Sequence, residues 1–221
     1  MKIEKIVKTY DGSRKVIDNL SFEFEKNKVY SIFGKNGIGK TTLLNIISGH
    51  LSIDEGRVFD NDDVMLITEH MIIFEYITGL EFLTLTLEHK KKKIEVEVIN
   101  EWLEKFEMLD SKDMYIAEYS AGMKYKLMMI LIFLIKPKVL LLDEPFAELD
   151  ILTVKKINKE FQKIKNEVLI IFSTHTSNLA FQMSDEILYL TRKKIYPFKN
   201  EFHSNEELEN YIEHLMKENE K

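Results

Sequence analysis

The chain has 221 residues, 45% of them hydrophobic and 31% charged, which suits one packed core with room for a smaller lobe and excludes a disordered polymer. Its 31 basic and 37 acidic side chains leave a formal net charge of -6, so no overall positive field draws it to nucleic acid or anionic lipid, and no nucleic-acid partner is expected. There is no cysteine, which excludes disulfides and thiolate metal sites and fits a reducing cytosol.

The opening "MKIEKIVKTYDGS" lacks the continuous apolar segment of a secretory signal. It reads as a strand over residues 3–10, a turn at Asp11 and Gly12, and a second strand through "LSFEFE", where Leu20, Phe22 and Phe24 alternate onto one face. "VYSIF" is a short buried strand that runs into a glycine-rich loop and an amphipathic helix over residues 41–48, stopped by Gly49.

That loop, "GKNGIGKTT", comprises Gly34, Lys35, Asn36, Gly37, Ile38, Gly39, Lys40, Thr41 and Thr42 and fits the P-loop pattern. Its glycines let backbone N–H groups curl around phosphate oxygens where side chains would collide. Lys40 brings a mobile cation to the β- and γ-phosphates, Thr41 offers a hydroxyl to Mg²⁺, and the following helix points its positive end at the anion. A glycine-rich turn with a chance lysine is the plain alternative; placement between a buried strand and a helix argues against it.

From about residue 78 to 135 the pattern turns helical, in "GLEFLTLTLEH", "IEVEVINEWLEKF" and "KLMMILIFLI". Lysines 90–93, flanked by acidic residues, read as a solvated loop. The longest apolar run, residues 127–135, is roughly half of what a bilayer span needs. The chain is therefore expected to be soluble, with any membrane span supplied by another polypeptide.

After Pro137, "VLLLD" has the nearly all-apolar character of a central parallel strand covered on both faces. A helix over 153–165, the strand "VLIIF", a helix over 177–183 and the strand "EILYL" follow, an alternation that implies a parallel sheet with crossover helices. The last segment, "SNEELENYIEHLMKENEK", opens with a capping box of Ser204 and Glu207 and reads as a solvated helix closing the fold.

Asp143 and Glu144 end one buried strand and His175 follows another, on the edge where open α/β sheets bind ligands. Asp143 is placed to hold Mg²⁺, and Glu144 to orient or deprotonate an attacking water, a step that hydrolysis needs. His175 offers a neutral donor suited to a γ-phosphate; a satisfied structural histidine is the alternative.

Taken in order, the P-loop, "SAGMK", "LLLDEP", "AELD" and "STH" resemble the ATP-binding cassette (ABC) ATPases, the nucleotide-binding subunits of membrane transporters. The resemblance covers essentially the whole chain. It implies an α/β P-loop NTPase core with a central, mainly parallel sheet, an N-terminal antiparallel β subdomain and an inserted α-helical subdomain. The core then spans residues 1–69 and 136–221, and the helical insertion about 70–135. Also implied are ATP and Mg²⁺ as cofactors, ATP hydrolysis coupled to transport, and a head-to-tail homodimer or heterodimer with another ABC ATPase subunit. A separate transmembrane subunit would hold the pair on the inner, cytoplasmic face of the cell membrane.

By the same resemblance, Ser120 and Gly122 open a helix toward the γ-phosphate held by the other subunit, where the residues alone also allow a plain N-cap. Tyr10 stands where the family has an aromatic ring stacked on adenine, the alternative being a core aromatic. Asp150 lies in the loop that joins the two active sites across the dimer and can also cap the next helix.

Three departures stand out. Tyr119, Ala121 and Met123 replace three residues of the usual Leu-Ser-Gly-Gly-Gln, leaving Ser120 and Gly122. Glu69 occupies the place of a glutamine that touches Mg²⁺ and the attacking water, so it is read as a metal and catalytic residue, with altered metal dependence or slower turnover expected. A loop acid is the alternative. Asn27 and Lys28 stand where a glycine usually precedes the P-loop strand, and asparagine tolerates a left-handed turn.

The compact architecture resembles exporters of peptides or drugs. A soluble cassette ATPase acting on ribosomes or DNA, or a weakly hydrolysing regulatory subunit, are the alternatives. The presence of Lys40, Asp143, Glu144 and His175 argues against a dead enzyme.

Overall fold

The structure, a computed structural model, describes residues 1–10, 14–68, 74–146 and 149–219. Its nine strands among the described residues are β1 (Lys2–Tyr10), β2 (Arg14–Glu23), β3 (Val29–Phe33), β4 (Glu55–Phe59), β5 (Val64–Ile67), β6 (Val139–Leu142), β7 (Leu169–Thr174), β8 (Glu186–Leu190) and β9 (Ile195–Lys199). The helices are α1 (Lys40–Ile47), α2 (Gly79–His89), α3 (Val96–Lys105), α4 (Ala121–Ile135), α5 (Ile151–Ile164), α6 (Ser177–Met183) and α7 (Asn205–Asn219). They fall into two units: Met1–Glu69 with Lys138–Pro145 and Lys165–Lys221, and His70–Pro137 with Phe146–Ile164.

The first unit holds two sheets, a three-stranded antiparallel one ordered β2-β1-β4 and a six-stranded one ordered β5-β6-β7-β3-β8-β9. Every residue of β3, β6 and β7 is buried, as their largely apolar composition demands of strands covered on both faces. All neighbours in the larger sheet are parallel except β8 and β9. Phe33 pairs with Thr174 and Leu142 with Phe172, so the carboxyl ends of β3, β6 and β7 finish side by side and deliver their following loops to one edge.

Beneath that edge, Leu43 and Leu44 of α1 pack with Ile32, Leu141 and Ile171, all with no exposed surface, each contributing about 1.5–3 kcal/mol through burial. Asn27, before β3, takes the left-handed conformation at φ 66° that the sequence suggested it could tolerate. Helix α7 is solvated on one side only: Leu208 and Ile212 bury against Phe33, Ala180 and Ile187.

The second unit is helical. Thr78 and Glu81 close a capping box that starts α2. Helix α4 is buried throughout residues 127–135, and Phe133 there stacks 5.0 Å from Trp102 of α3 and lies 5.9 Å from Phe161 of α5. Those contacts group α5 with α3 and α4, whereas the sequence reading counted residues 146–164 with the sheet. Among the described residues no helix is long and apolar enough to cross a membrane.

Candidate active site

Gly37 at φ 74° and Gly39 at φ 115° hold backbone conformations that L side chains rarely adopt, which shapes the loop between β3 and α1. Gly39 is also pressed on: a Cβ there would lie 3.0 Å from Cγ1 of Val16. It caps α1 without a side-chain hydrogen bond, so the first-turn N–H groups are left to an external acceptor. Lys40 is only 7% exposed, and its ammonium donates to the Gly34 carbonyl at 3.0 Å.

Asn36, Thr41 and Thr42 join these residues around a cleft of about 450 Å³ that Tyr10 and Val16 complete on one side and Glu144 on the other. Tyr10 is 45% exposed and lies 3.4 Å, hydroxyl to hydroxyl, from Thr42, so its ring flanks the cleft rather than joining the core. Lys35 and Ile38 face away, into a neighbouring cleft lined by Tyr189 and Arg192.

The carboxylates follow β6. Asp143 donates its N–H to the Ile67 carbonyl at 2.8 Å, prolonging the ladder, and the chain then turns through a left-handed Glu144 at φ 48°. A non-glycine residue stays there only when its surroundings hold it. Ser173 supplies the hold: its hydroxyl donates to Oδ1 of Asp143 at 2.6 Å and accepts the Glu144 N–H at 2.9 Å. The Glu144 carboxylate lies between Lys40, with Oε1 3.5 Å from Nζ, and His175, with Oε2 3.0 Å from Nδ1.

A carboxylate can only accept, so Nδ1 of His175 is the donor of this pair, and in a singly protonated ring Nε2 is left as an acceptor. The neutral donor expected from sequence is thus already engaged by Glu144. No role was anticipated for Ser173, although it opens the "STH" stretch and closes the apolar run "VLIIF".

The donors fit Mg²⁺. Among the described residues no cluster of three or more histidine, cysteine or acidic side chains could chelate a metal by itself. The candidate ligands are oxygens, the Thr41 hydroxyl in the cleft wall and the carboxylate of Asp143, which precedes the cleft residue Glu144, and Mg²⁺ favours a few protein oxygens shared with substrate phosphates and water. Glu69 lies outside the described residues.

In the second unit, Ser120 is exposed and caps α4, its hydroxyl accepting the Met123 N–H at 3.2 Å. Gly122 follows in a first turn without an acidic residue, so the positive helix end is not neutralised from within. Tyr119, which replaces the usual leucine, is 5% exposed and donates its hydroxyl to the Ser111 carbonyl at 2.7 Å. Asp150 is an N-cap: Oδ1 accepts the Thr153 N–H at 2.9 Å and Oδ2 the Thr153 hydroxyl at 2.7 Å. The hydroxyl and N–H of Thr153 hold the Asp150 carboxyl below the usual range.

Known proteins resemble this chain in sequence and in fold. The sequence model of the ABC transporter family matches residues 17–147, more than half of the chain. An uncharacterised ABC transporter ATP-binding protein of Methanocaldococcus jannaschii is 31% identical over 198 residues, spanning 88% of this chain and 75% of that protein. The sulfate/thiosulfate import ATP-binding protein CysA of Halalkalibacterium halodurans is 28% identical over 212 residues, 87% of this chain but only 59% of its own length.

Among solved structures, an ATP-binding subunit of an ABC transporter superposes with a TM-score of 0.81 at 22% identity, covering 96% of this chain and 98% of the other. A dimeric, post-hydrolysis ATP-binding cassette bound to ADP and Pi gives 0.79 at 23% identity, covering 91% and 99%. Both likenesses are of fold. Family match and relatives together establish that the chain belongs to the ABC transporter family, as one of its ATP-binding ATPase subunits.

Proposed function

We propose that this subunit binds Mg²⁺-ATP between Tyr10 and the P-loop and hydrolyses it with Glu144 as the group that receives the proton of the attacking water. The observation that carries the reading is the seat of Glu144, beside both the P-loop lysine and His175, at the carboxyl ends of β6 and β7.

In this reading Tyr10 stacks on adenine, while loop N–H groups and Lys40 hold the phosphates. Thr41 and Asp143 hold Mg²⁺, together with Glu69 if its register is as read from the sequence. When bound, the metal neutralises phosphate charge and polarises the transferred phosphoryl group. Catalysis is otherwise positioning: the loop fixes the phosphates, Asp143 and Glu144 are fixed by β7, and His175 is fixed by Glu144.

We further propose that two such subunits, identical or related, close head to tail, each placing Ser120 and Gly122 against the γ-phosphate held by the other and meeting through Asp150. The helix opening at Ser120, with no acid in its first turn, supports an anion site. The pair would drive a separate transmembrane subunit from the inner face of the cell membrane. Phe74, Tyr76, Ile151 and Leu152 of the second unit are each at least 70% exposed, apolar side chains available to a protein partner. Relatives named for sulfate/thiosulfate import match most of the chain, so export of a peptide or drug-like cargo draws no support from them, and the proposal names neither direction nor cargo.

The test is ATPase activity per chain against protein concentration. Activity that climbs with concentration is expected; activity that stays at its full value at extreme dilution overturns the shared site.

A further inference from the structure

We propose that Ser173 is a positioning residue for both carboxylates of the ATPase site, an inference that rests on the hydrolytic reading of Asp143 and Glu144. Ser173 has no exposed surface and sits on β7 between β3 and β6, where continuing the Leu142–Phe172 register brings it beside Asp143. Its hydroxyl proton goes to Oδ1 of Asp143 at 2.6 Å and a lone pair receives the Glu144 N–H at 2.9 Å. One oxygen atom therefore does two things.

The first bond fixes the plane of the Asp143 carboxylate and engages one of its oxygens, which leaves the other to a metal or its water. The second fixes the backbone of Glu144 at φ 48°, a conformation that a glutamate keeps only under external restraint. That turn carries the Glu144 side chain to Lys40 and His175. Without the hydroxyl, Asp143 is free to rotate and the Glu144 N–H loses its partner.

A buried serine that merely satisfies its own polarity would leave metal binding untouched, so the discriminating readout is Mg²⁺ dependence. Fluorescent ADP is titrated with and without Mg²⁺ against wild type, Ser173→Ala, Ser173→Thr and Asp143→Asn, alongside kcat and KM for ATP. Ser173→Ala is expected to leave metal-free ADP affinity within about threefold, to raise the half-saturating Mg²⁺ concentration and to lower kcat, each by about 10- to 100-fold. Ser173→Thr, which keeps the hydroxyl, should recover most of the loss, and adding Ser173→Ala to Asp143→Asn should not weaken Mg²⁺ dependence further.

Wild-type Mg²⁺ dependence in a folded Ser173→Ala protein overturns this inference alone. So does an equal loss of metal-free ADP affinity in Ser173→Ala and Ser173→Thr, which would mark a packing role. A wild-type protein with no Mg²⁺-dependent nucleotide affinity overturns the hydrolytic reading and this inference with it.

Discussion

Nδ1 of His175 donates to Oε2 of Glu144 across 3.0 Å, a side-chain bond that adds to those of Ser173 in tying the end of β7 to the turn after β6. While it stands, Nε2 of a neutral ring accepts; donation from Nε2 to a phosphate oxygen requires a proton on both nitrogens or release of Glu144.

Glu144→Gln separates the two uses of this side chain. Its amide oxygen can still accept from Nδ1, while the carboxylate proposed to take the water's proton is gone. We expect kcat to fall by about 10²- to 10⁴-fold with ATP affinity little changed, and an ATP-bound dimer to accumulate in light scattering. Full hydrolysis by this variant would sink the assignment.

Ser120→Asp tests whether the helix opening serves a phosphate or only its own helix. Aspartate caps as well as serine, so the melting temperature should hold, but it places a negative charge where an anion is expected. Turnover should fall by about 100-fold or more while dilute protein binds ATP as before. Undiminished turnover would reduce Ser120 to the cap seen in the structure.

Much of this site could be read from the chain because its parts are local. The P-loop is one contiguous stretch, and β3, β6 and β7 announce themselves as buried strands by composition. Strands β4 and β9 were not anticipated. "EGRVF" shows no alternation and is almost wholly exposed, held by pairing with β1 some fifty residues away, and "IYPFK" carries a proline that only an edge strand tolerates. Ser173 was out of reach for a related reason: its bond to Asp143 spans 30 positions and depends on a strand register that no short motif encodes. The left-handed Glu144 and the proton position on His175 follow from that same long-range geometry.

Tyr119 packs closely over Gly79. A Cβ at Gly79 would collide with the Tyr119 hydroxyl and lie 3.1 Å from Cζ of the ring. Gly79→Ala should therefore cost about 1–3 kcal/mol, and Tyr119→Phe alone about 1 kcal/mol for the bond to Ser111. Because Tyr119→Phe also removes the clashing atom, the double variant should lose clearly less than the sum in denaturant titrations. Strict additivity would show that the two residues do not press on each other.

Glu160 gives the second unit a predictable response to acid. Its side chain is 5% exposed and accepts Lys105 and Lys163, each at 2.8 Å. Burial pushes the carboxyl up, but the two ammonium groups outweigh it and hold it below its usual range. A lowered folded value means the contribution is whole above the unfolded carboxyl pKa of about 4.3 and is lost as pH falls through the folded one. Glu160→Gln should cost about 1–3 kcal/mol at neutral pH. In melts between about pH 3 and pH 8, the gap to wild type should close only on the acid side. A gap of constant size would show that the Lys105–Glu160–Lys163 charges do not stabilise the fold.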